Sequence, residues 1–259
     1  MDAAQPALPS ASRPAWIAAS ILALTGMIAV NALANALPIN GLTTGAISDG
    51  YPIFFVPAGY VFSIWGLIYL GLIAFTVTQA FSSAAEPIVG PLRPLFVLSC
   101  LANGAWIFAW HYLQLGLSVV LMLVLLGSLI ALYLRMRPPG APAVRPLFRW
   151  TLFVPISLYL GWICVATIPN ISALLVQRGW DGAPLAGSTW AALMMAVATA
   201  ILVTLAIRFR DVTPPLVLIW ALVGIMVKFP AQDLMRAVGI SMVAVLAATV
   251  GFLAWRRAA

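Results

Sequence analysis

The sequence is organised around residues 55–72, FVPAGYVFSIWGLIYLGL. A Pro-Ala-Gly turn breaks the backbone there and then opens an apolar helix. Phe62, Trp65 and Tyr69 are spaced i, i+3 and i+7, so three aromatic side chains share one face of this helix. This pattern suits a helical bundle that encloses a flat apolar ligand, but ordinary core packing commonly uses the same spacing and is the simpler interpretation of this helix alone. A second strip of small residues predicts the close approach of a neighbouring helix: Gly59, Ser63 and Gly66.

The composition indicates a protein that lies within a membrane. Of the 259 residues, 64% are hydrophobic and only 7% are charged, and the mean hydropathy is +1.08. Soluble domains carry roughly 25% charged residues, so a soluble fold of this composition could not cover its own surface. The apolar runs are long and continuous, which favours spanning helices over a barrel. We therefore predict an all-α integral membrane protein whose first partner is the lipid bilayer.

The net charge of +7 arises from 13 basic and 6 acidic residues. Because the basic residues lie at the ends of apolar runs, they indicate membrane topology, and no nucleic-acid partner is predicted. All of them except Lys228 are Arg, which together with the many Ala residues suggests a high-GC bacterial genome. Cys100 and Cys164 lie inside apolar runs, so we expect small buried hydrophobes and neither a disulfide nor a metal site.

Eight segments are predicted to be helices, where about 20 residues are needed to span a bilayer. Their approximate bounds are 15–37, 58–80, 94–114, 116–135, 150–176, 189–208, 214–229 and 233–255. Residues 1–14 form an N-terminal tail without a clear signal peptide. The long loop over 38–57 is predicted to act as a lid, because it is rich in Gly, Thr and Pro and leads into Pro57.

The basic residues are distributed unequally between the two sides of this arrangement. With the N-terminus inside, the inner segments hold Arg13, Arg93, Arg135, Arg137, Arg145, Arg149, Arg208, Arg210, Arg256 and Arg257. The outer segments hold Arg178, Lys228 and Arg236. This bias predicts a multi-pass protein of a bacterial cytoplasmic membrane, with both termini in the cytoplasm.

Two further predicted helices carry aromatic and amide side chains on one face. In the third, Asn103, Trp106 and Trp110 are spaced i, i+3 and i+7. A buried Asn in a membrane helix needs a hydrogen-bond partner, so this face points into the bundle. The fifth carries a stripe with spacings of 4, 3, 4 and 4: Pro155, Tyr159, Trp162, Ala166 and Asn170.

The first stretch resembles the second helix of the TspO/MBR family, the tryptophan-rich sensory proteins related to the mitochondrial translocator protein. That family has a Pro-Pro turn followed by an aromatic helix with a Trp-x-x-x-Tyr pair. Pro57, Phe62, Trp65 and Tyr69 match this pattern. Two departures are that Ala58 stands in place of the second Pro and that one residue is missing before Trp65.

The other two stretches extend the resemblance over residues 15–177. The family's Leu-Asn-x-x-Trp motif is matched by Asn103 and Trp106, with Ala102 in the Leu position. Its Pro-Tyr-Leu-x-Trp motif, with Ala and Asn following, is matched by Tyr159, Leu160, Trp162, Ala166 and Asn170. No Tyr precedes Arg178, so a cholesterol-recognition pattern is absent at that end.

The resemblance implies a five-helix TspO-like bundle over 15–177, with about three additional transmembrane helices of unassigned role over 178–259. It implies a binding protein or sensor for tetrapyrroles, such as porphyrin or haem precursors, or for other flat hydrophobic ligands, which it would transport or degrade. Family members often form homodimers, and some break down porphyrin in light through pocket Trp residues, matched here by Trp65 and Trp162. No cofactor is required, since porphyrin or haem would be a ligand. The implied ligand-binding residues are Pro57, Phe62, Trp65, Tyr69, Asn103, Trp106, Trp110, Tyr159, Trp162, Ala166 and Asn170.

Other functions stay open at this stage. A neutral-lipid or carotenoid carrier would use the same aromatic pocket, and a regulatory membrane protein would need no ligand chemistry. A retinal protein with Lys228 as the Schiff base is disfavoured, because the interiors of the predicted helices hold no Asp or Glu as counter-ion. His111, the only His, is predicted to be an interfacial residue near a helix end and not a haem ligand.

Overall fold

The computed structural model describes residues 13–37, 39–138 and 144–258. The predicted N-terminal tail therefore lies outside the described residues except for its last two positions. Among the described residues, every regular element is helical and no strand is present. The eight long helices are α1 (Arg13–Ala36), α2 (Ile64–Phe81), α3 (Arg93–His111), α4 (Leu115–Arg135), α5 (Val154–Gln177), α6 (Gly187–Phe209), α7 (Thr213–Lys228) and α8 (Asp233–Ala258).

Short helical segments connect several of these helices. Between α1 and α2 lie Ile39–Gly41, Thr44–Asp49 and the 3₁₀ turn Gly59–Ser63. Between α2 and α3 lie Ser83–Ala85, Glu86–Val89 and Gly90–Leu92, and before α5 lie Pro146–Phe148 and the π-helical turn Arg149–Phe153. These three connections are thus mostly helical, so many of their backbone groups are satisfied within the chain.

The prediction of an all-α membrane protein is confirmed. Within the described residues, seven helices are long and apolar enough to cross a membrane, and α7, with 16 residues, is shorter. The short helix still extends between the same two ends of the bundle as its neighbours. Asp211, just before α7, contacts Arg137 beyond the end of α4, while Lys228 at the other end pairs with Asp49 between α1 and α2.

The two ends of the bundle differ in charge. We call the end that carries residues 39–57 the lid end, and those residues the lid. The opposite end, which we call the arginine end, holds most of the basic residues of the described chain: Arg13, Arg93, Arg135, Arg137, Arg145, Arg149, Arg208, Arg210 and Arg256. The described basic residues that the sequence pattern assigned to one side of the membrane therefore lie together at one end of the bundle.

The last three helices pack on the first five mainly through α7, and two glycines allow its approach. A Cβ on Gly161 of α5 would lie 3.1 Å from the Cα of Pro214 in α7. A Cβ on Gly224 of α7 would overlap the side chain of Val61. The carbonyl of Gly224 also accepts a hydrogen bond from the backbone N–H of Ala58, at 3.1 Å. One hydrophobic core thus continues from α5 and the start of α2 into α7.

The strip of small residues on α2 does not serve the predicted purpose within this chain. A Cβ on Gly59 or Gly66 would meet no atom within 4 Å, and both residues are exposed. The reason is that α2 turns Ile68 and Leu72 inward, towards α1 and α5, and the small strip outward. The close contact of α2 is instead at Gly71, where a Cβ would lie 3.1 Å from the Cβ of Pro155.

Polar contacts tie α1 to α3 along the bundle. In the interior, Asn31 Nδ2 donates to Asn103 Oδ1 at 2.7 Å, and both side chains are buried. At the arginine end, Glu86 accepts from Arg93 at 2.6 Å and pairs with Arg13 at 2.8 Å. The inward-facing Asn that a membrane helix requires therefore finds its partner on α1.

Candidate functional site

A cavity of about 50 Å³ lies beneath the lid, between α3, α5 and the segment that leads into α2. Two of its walls are the aromatic stripes of α3 and α5, because positions three and four apart face the same way on a helix. Lid residues close it from above. The lining residues are Thr44, Ser48, Pro57, Phe62, Trp106, Trp110, Trp162, Val165, Ala166, Pro169 and Asn170.

The structure brings most of the sequence-predicted site residues around this cavity. Pro57, Phe62, Trp106, Trp110, Trp162, Ala166 and Asn170 all line it. The remaining four do not reach it: Trp65, Tyr69, Asn103 and Tyr159. Asn103 is fully buried and accepts the hydrogen bond from Asn31, so its side chain serves contact between helices.

The other three form an aromatic cluster directly behind the cavity. The ring of Trp65 stacks on Tyr69 with 5.4 Å between centroids and meets Tyr159 edge-on at 5.9 Å. Its centroid is 6.2 Å from that of Trp162, which in turn contacts Phe62 edge-on at 5.8 Å. The cluster therefore contacts the cavity through Trp162 and fixes the orientation of that indole.

Three residues that line the cavity each carry a buried side-chain atom without a hydrogen-bond partner among the described residues. These atoms are the indole Nε1 atoms of Trp106 and Trp162 and the side-chain oxygen of Asn170. Asn170 uses its Nδ2 to donate to Ser118 Oγ at 2.7 Å, which leaves Oδ1 available. Since buried polar groups are nearly always paired, these three residues retain two donors and one acceptor for which the described residues supply no partner.

The C-terminal end of α3 holds the lid. Trp110 Nε1 donates to the carbonyl of Thr44 at 3.2 Å. His111 Nδ1 lies 3.1 Å from the carbonyl of Ile39, and His111 Nε2 lies 3.0 Å from Thr44 Oγ1. A carbonyl only accepts, so Nδ1 carries the proton, and in the neutral ring the Thr44 hydroxyl donates to Nε2. His111 is the last residue of α3, near a helix end as predicted, and its ring is fully buried against the lid.

The end of α7 and the residue that follows it hold the lid from the other side. Lys228 of α7 forms an ion pair with Asp49 in the lid helix Thr44–Asp49. Next to it, the ring of Phe54 packs against Phe229 with 5.2 Å between centroids. Sequence analysis missed these lid contacts, since 179 residues separate Asp49 from Lys228 and nothing local marks the pair.

The chemistry of the cavity suits a flat aromatic ligand, whereas its volume in this closed form does not. Ligand pockets usually enclose roughly 300–1,000 Å³, well above the 50 Å³ found here. A porphyrin-sized molecule would therefore have to displace the lid and turn the Trp side chains. Among the described residues, no group of three or more His, Cys, Asp or Glu side chains could hold a metal ion.

Comparison with known proteins gives one family. A profile of the family described as TSPO-like protein matches residues 15–255. The matched range includes α6 and α7 and most of α8, beyond the five helices whose motifs carry the sequence resemblance. No curated protein and no solved structure matches the chain.

Proposed function

Because this chain belongs to the TSPO-like protein family, we propose that it is a membrane-embedded binding protein for tetrapyrroles or similar flat hydrophobic ligands. The ligand would occupy the cavity beneath the lid. The observation that carries this proposal is that three residues around a mostly apolar cavity, Trp106, Trp162 and Asn170, each have a buried polar atom without a partner among the described residues. Leaving such a group unpaired costs about 1–3 kcal/mol, so a ligand that pairs with it gains affinity.

A porphyrin meets these requirements in two ways. Its flat ring stacks on indole faces, a contact worth about 0.5–1.5 kcal/mol beyond area burial. Its carboxylate substituents accept hydrogen bonds and suit the N–H groups of Trp106 and Trp162. A carotenoid or neutral lipid would use the aromatic faces but would leave these polar atoms unpaired, which makes it the weaker candidate.

Binding requires the lid to open, and the lid contacts suggest how the protein would act as a sensor. Trp110 lines the cavity and also donates to the lid carbonyl of Thr44. A ligand that turns Trp110 would break this hydrogen bond and loosen the lid. Ligand binding and lid position are therefore coupled through one side chain, since a ligand shifts the equilibrium towards the state that it binds better.

The same proposal places the protein in a bacterial cytoplasmic membrane with the arginine end towards the cytoplasm. Support comes from the positive-inside tendency, because nine of the described basic residues lie at that end. The family resemblance leads us to include two further properties in the proposal. The first is assembly as a homodimer, and the second is light-dependent breakdown of bound porphyrin. In the second case the indole of Trp162, which lines the cavity, is the residue placed to take part.

A titration of the purified protein with protoporphyrin tests the proposal. We expect a shift of the porphyrin absorption band and quenching of Trp fluorescence. Ala166→Phe should lower affinity about tenfold or more, because the new ring occupies a cavity of about 50 Å³. Ala105→Phe is the matched control, since Ala105 lies on the exposed face of α3.

Two results would overturn the proposal. Equal affinity of the wild type and Ala166→Phe would move the ligand out of this cavity. The lipid-carrier alternative would be favoured if a carotenoid bound, porphyrin did not compete with it, and the porphyrin absorption band did not shift on addition of the protein.

A further inference from the structure

A second and much larger opening lies at the arginine end, on the far side of α5 from the lid. It is a groove of about 1580 Å³ between α2, α5 and α7. The turn before α5 and the connection between α6 and α7 form its mouth. Its lining belongs to neither the lid nor the aromatic cavity, so it is a separate feature of the fold.

The mouth of the groove is positively charged. Arg149 and Arg208 line it, both are exposed, and neither forms an ion pair with any described residue. Arg137 and Arg210 also line it. The acidic residue in the lining, Asp211, already accepts from Arg137 at 3.0 Å, so it does not neutralise the exposed pair. An anionic group at the mouth would meet two cations held by the ends of different helices.

The deeper part of the groove is apolar and opens sideways from the bundle. Ile64 and Leu67 of α2 face Leu216 and Val217 of α7 across it. Leu67 and Leu216 are 59% and 49% exposed, so the groove is accessible from the lipid side of both helices. At the mouth, Trp150 is exposed, as expected for an indole at the level of lipid headgroups.

We propose that this groove binds one anionic phospholipid, with its phosphodiester between Arg149 and Arg208 and its acyl chains between α2 and α7. Basic pockets between transmembrane helices select anionic headgroups by charge. The volume exceeds the roughly 1,000 Å³ upper range of small-molecule pockets, which favours a ligand with two long chains. The lateral opening suits entry from the bilayer, whereas a small water-soluble anion would leave the apolar part of the groove unfilled.

The bound lipid would also join two parts of the chain. Arg149 belongs to the turn before α5, while Arg208 belongs to the last turn of α6. One phosphodiester that pairs with both would stabilise the packing of the last three helices on the first five. The lipid acts at the opposite end of α5 from the aromatic cavity, so this inference stands or fails independently of the proposed porphyrin site.

Native mass spectrometry of the full chain in neutral detergent tests the inference. Phosphatidylglycerol should be retained as one bound molecule, and phosphatidylcholine with the same acyl chains should be lost. The double variant Arg149→Gln/Arg208→Gln should weaken phosphatidylglycerol binding about thirtyfold, since each arginine near a membrane surface contributes about a fivefold factor. Leu216→Trp should weaken it as well, with both charges intact, because the indole would occupy the apolar part.

The matched control is Arg135→Gln/Arg256→Gln, which removes two exposed charges at the same end but outside the groove lining. Equal losses in the two double variants would reduce the effect to general surface charge and overturn the inference. Equal retention of the two lipids would overturn it too. Competition by glycerol phosphate without acyl chains would show that a free anion suffices and would remove the lipid from the proposal.

Discussion

Arg137 and Asp211 form a buried ion pair, with 3.0 Å between Nη2 and Oδ2, although 74 residues separate them. Their side chains are only 13% and 11% exposed, so the pair is far better shielded than a surface salt bridge. Tyr133 donates to the same carboxylate oxygen at 3.1 Å, and Ser157 Oγ lies 2.6 Å from it. Burial lowers the pKa of the Arg137 guanidinium, while Tyr133 and Asp211 oppose this shift. The pair joins α4 and α5 to the connection between α6 and α7.

Asp211→Asn should therefore destabilise the protein by about 3 kcal/mol, because it leaves the buried guanidinium without its counter-charge. Thermal unfolding in detergent measures the change. Asp181→Asn, in the exposed connection before α6, should stay within about 0.5 kcal/mol of the wild type. If the two variants melt alike, the ion pair contributes nothing to the packing of the last three helices.

Gly224→Ala should destabilise the contact between α7 and the segment before α2 by about 1–3 kcal/mol, because its Cβ would overlap Val61. Gly104→Ala in α3 is the matched control, since a Cβ there would meet no atom within 4 Å. Removing a helix-interior Gly at that open position should stabilise by about 0.5–1 kcal/mol. Thermal unfolding should give opposite signs for the two variants, and a shared sign would argue against the tight contact at Gly224.

Lys228→Gln should loosen the lid, because it removes the ion pair with Asp49. The measurement is maleimide labelling of Ser48→Cys, a buried position of the lid that lines the cavity, in a background without Cys100 and Cys164. Asp49 is 60% exposed, so we expect the labelling rate to rise by no more than about fivefold.

Arg178→Gln serves as the control for lid opening. It removes a charge at the same end of the bundle that makes no ion pair with a described residue. An equal rise in labelling for Arg178→Gln and Lys228→Gln would assign the effect to net charge and not to the contact with Asp49.

Trp162→Phe should lower porphyrin affinity by about two- to tenfold, since Phe keeps an aromatic ring but lacks the unpartnered N–H. Trp65→Phe should lower affinity less than Trp162→Phe does, because Trp65 lies behind the cavity and contacts it only through Trp162. Fluorescence titration of both variants measures the difference. Any light-dependent breakdown should also fall with Trp162→Phe, as Phe is much harder to oxidise, and unchanged binding and breakdown would exclude a chemical role for this indole.

The sequence by itself determined the class of the protein and the positions of its helices. The fourth helix, for example, was predicted over 116–135 and extends over Leu115–Arg135. Such agreement has a local cause, because hydropathy and helical periodicity are properties of contiguous residues. The stripes on α3 and α5 could be assigned to an inward face for the same reason, since Trp, Asn and Pro recur at helical spacing.

Only the tertiary structure decided how those faces are used. It divided the predicted aromatic set between a cavity wall and the cluster around Trp65, buried His111 beneath the lid, and paired Asp49 with Lys228. It also opened the arginine-lined groove between α2 and α7. Each of these features depends on the distance between residues far apart in the chain. Helix packing sets such distances through close contacts like that of Gly224 with Val61, and no spacing along one helix encodes them.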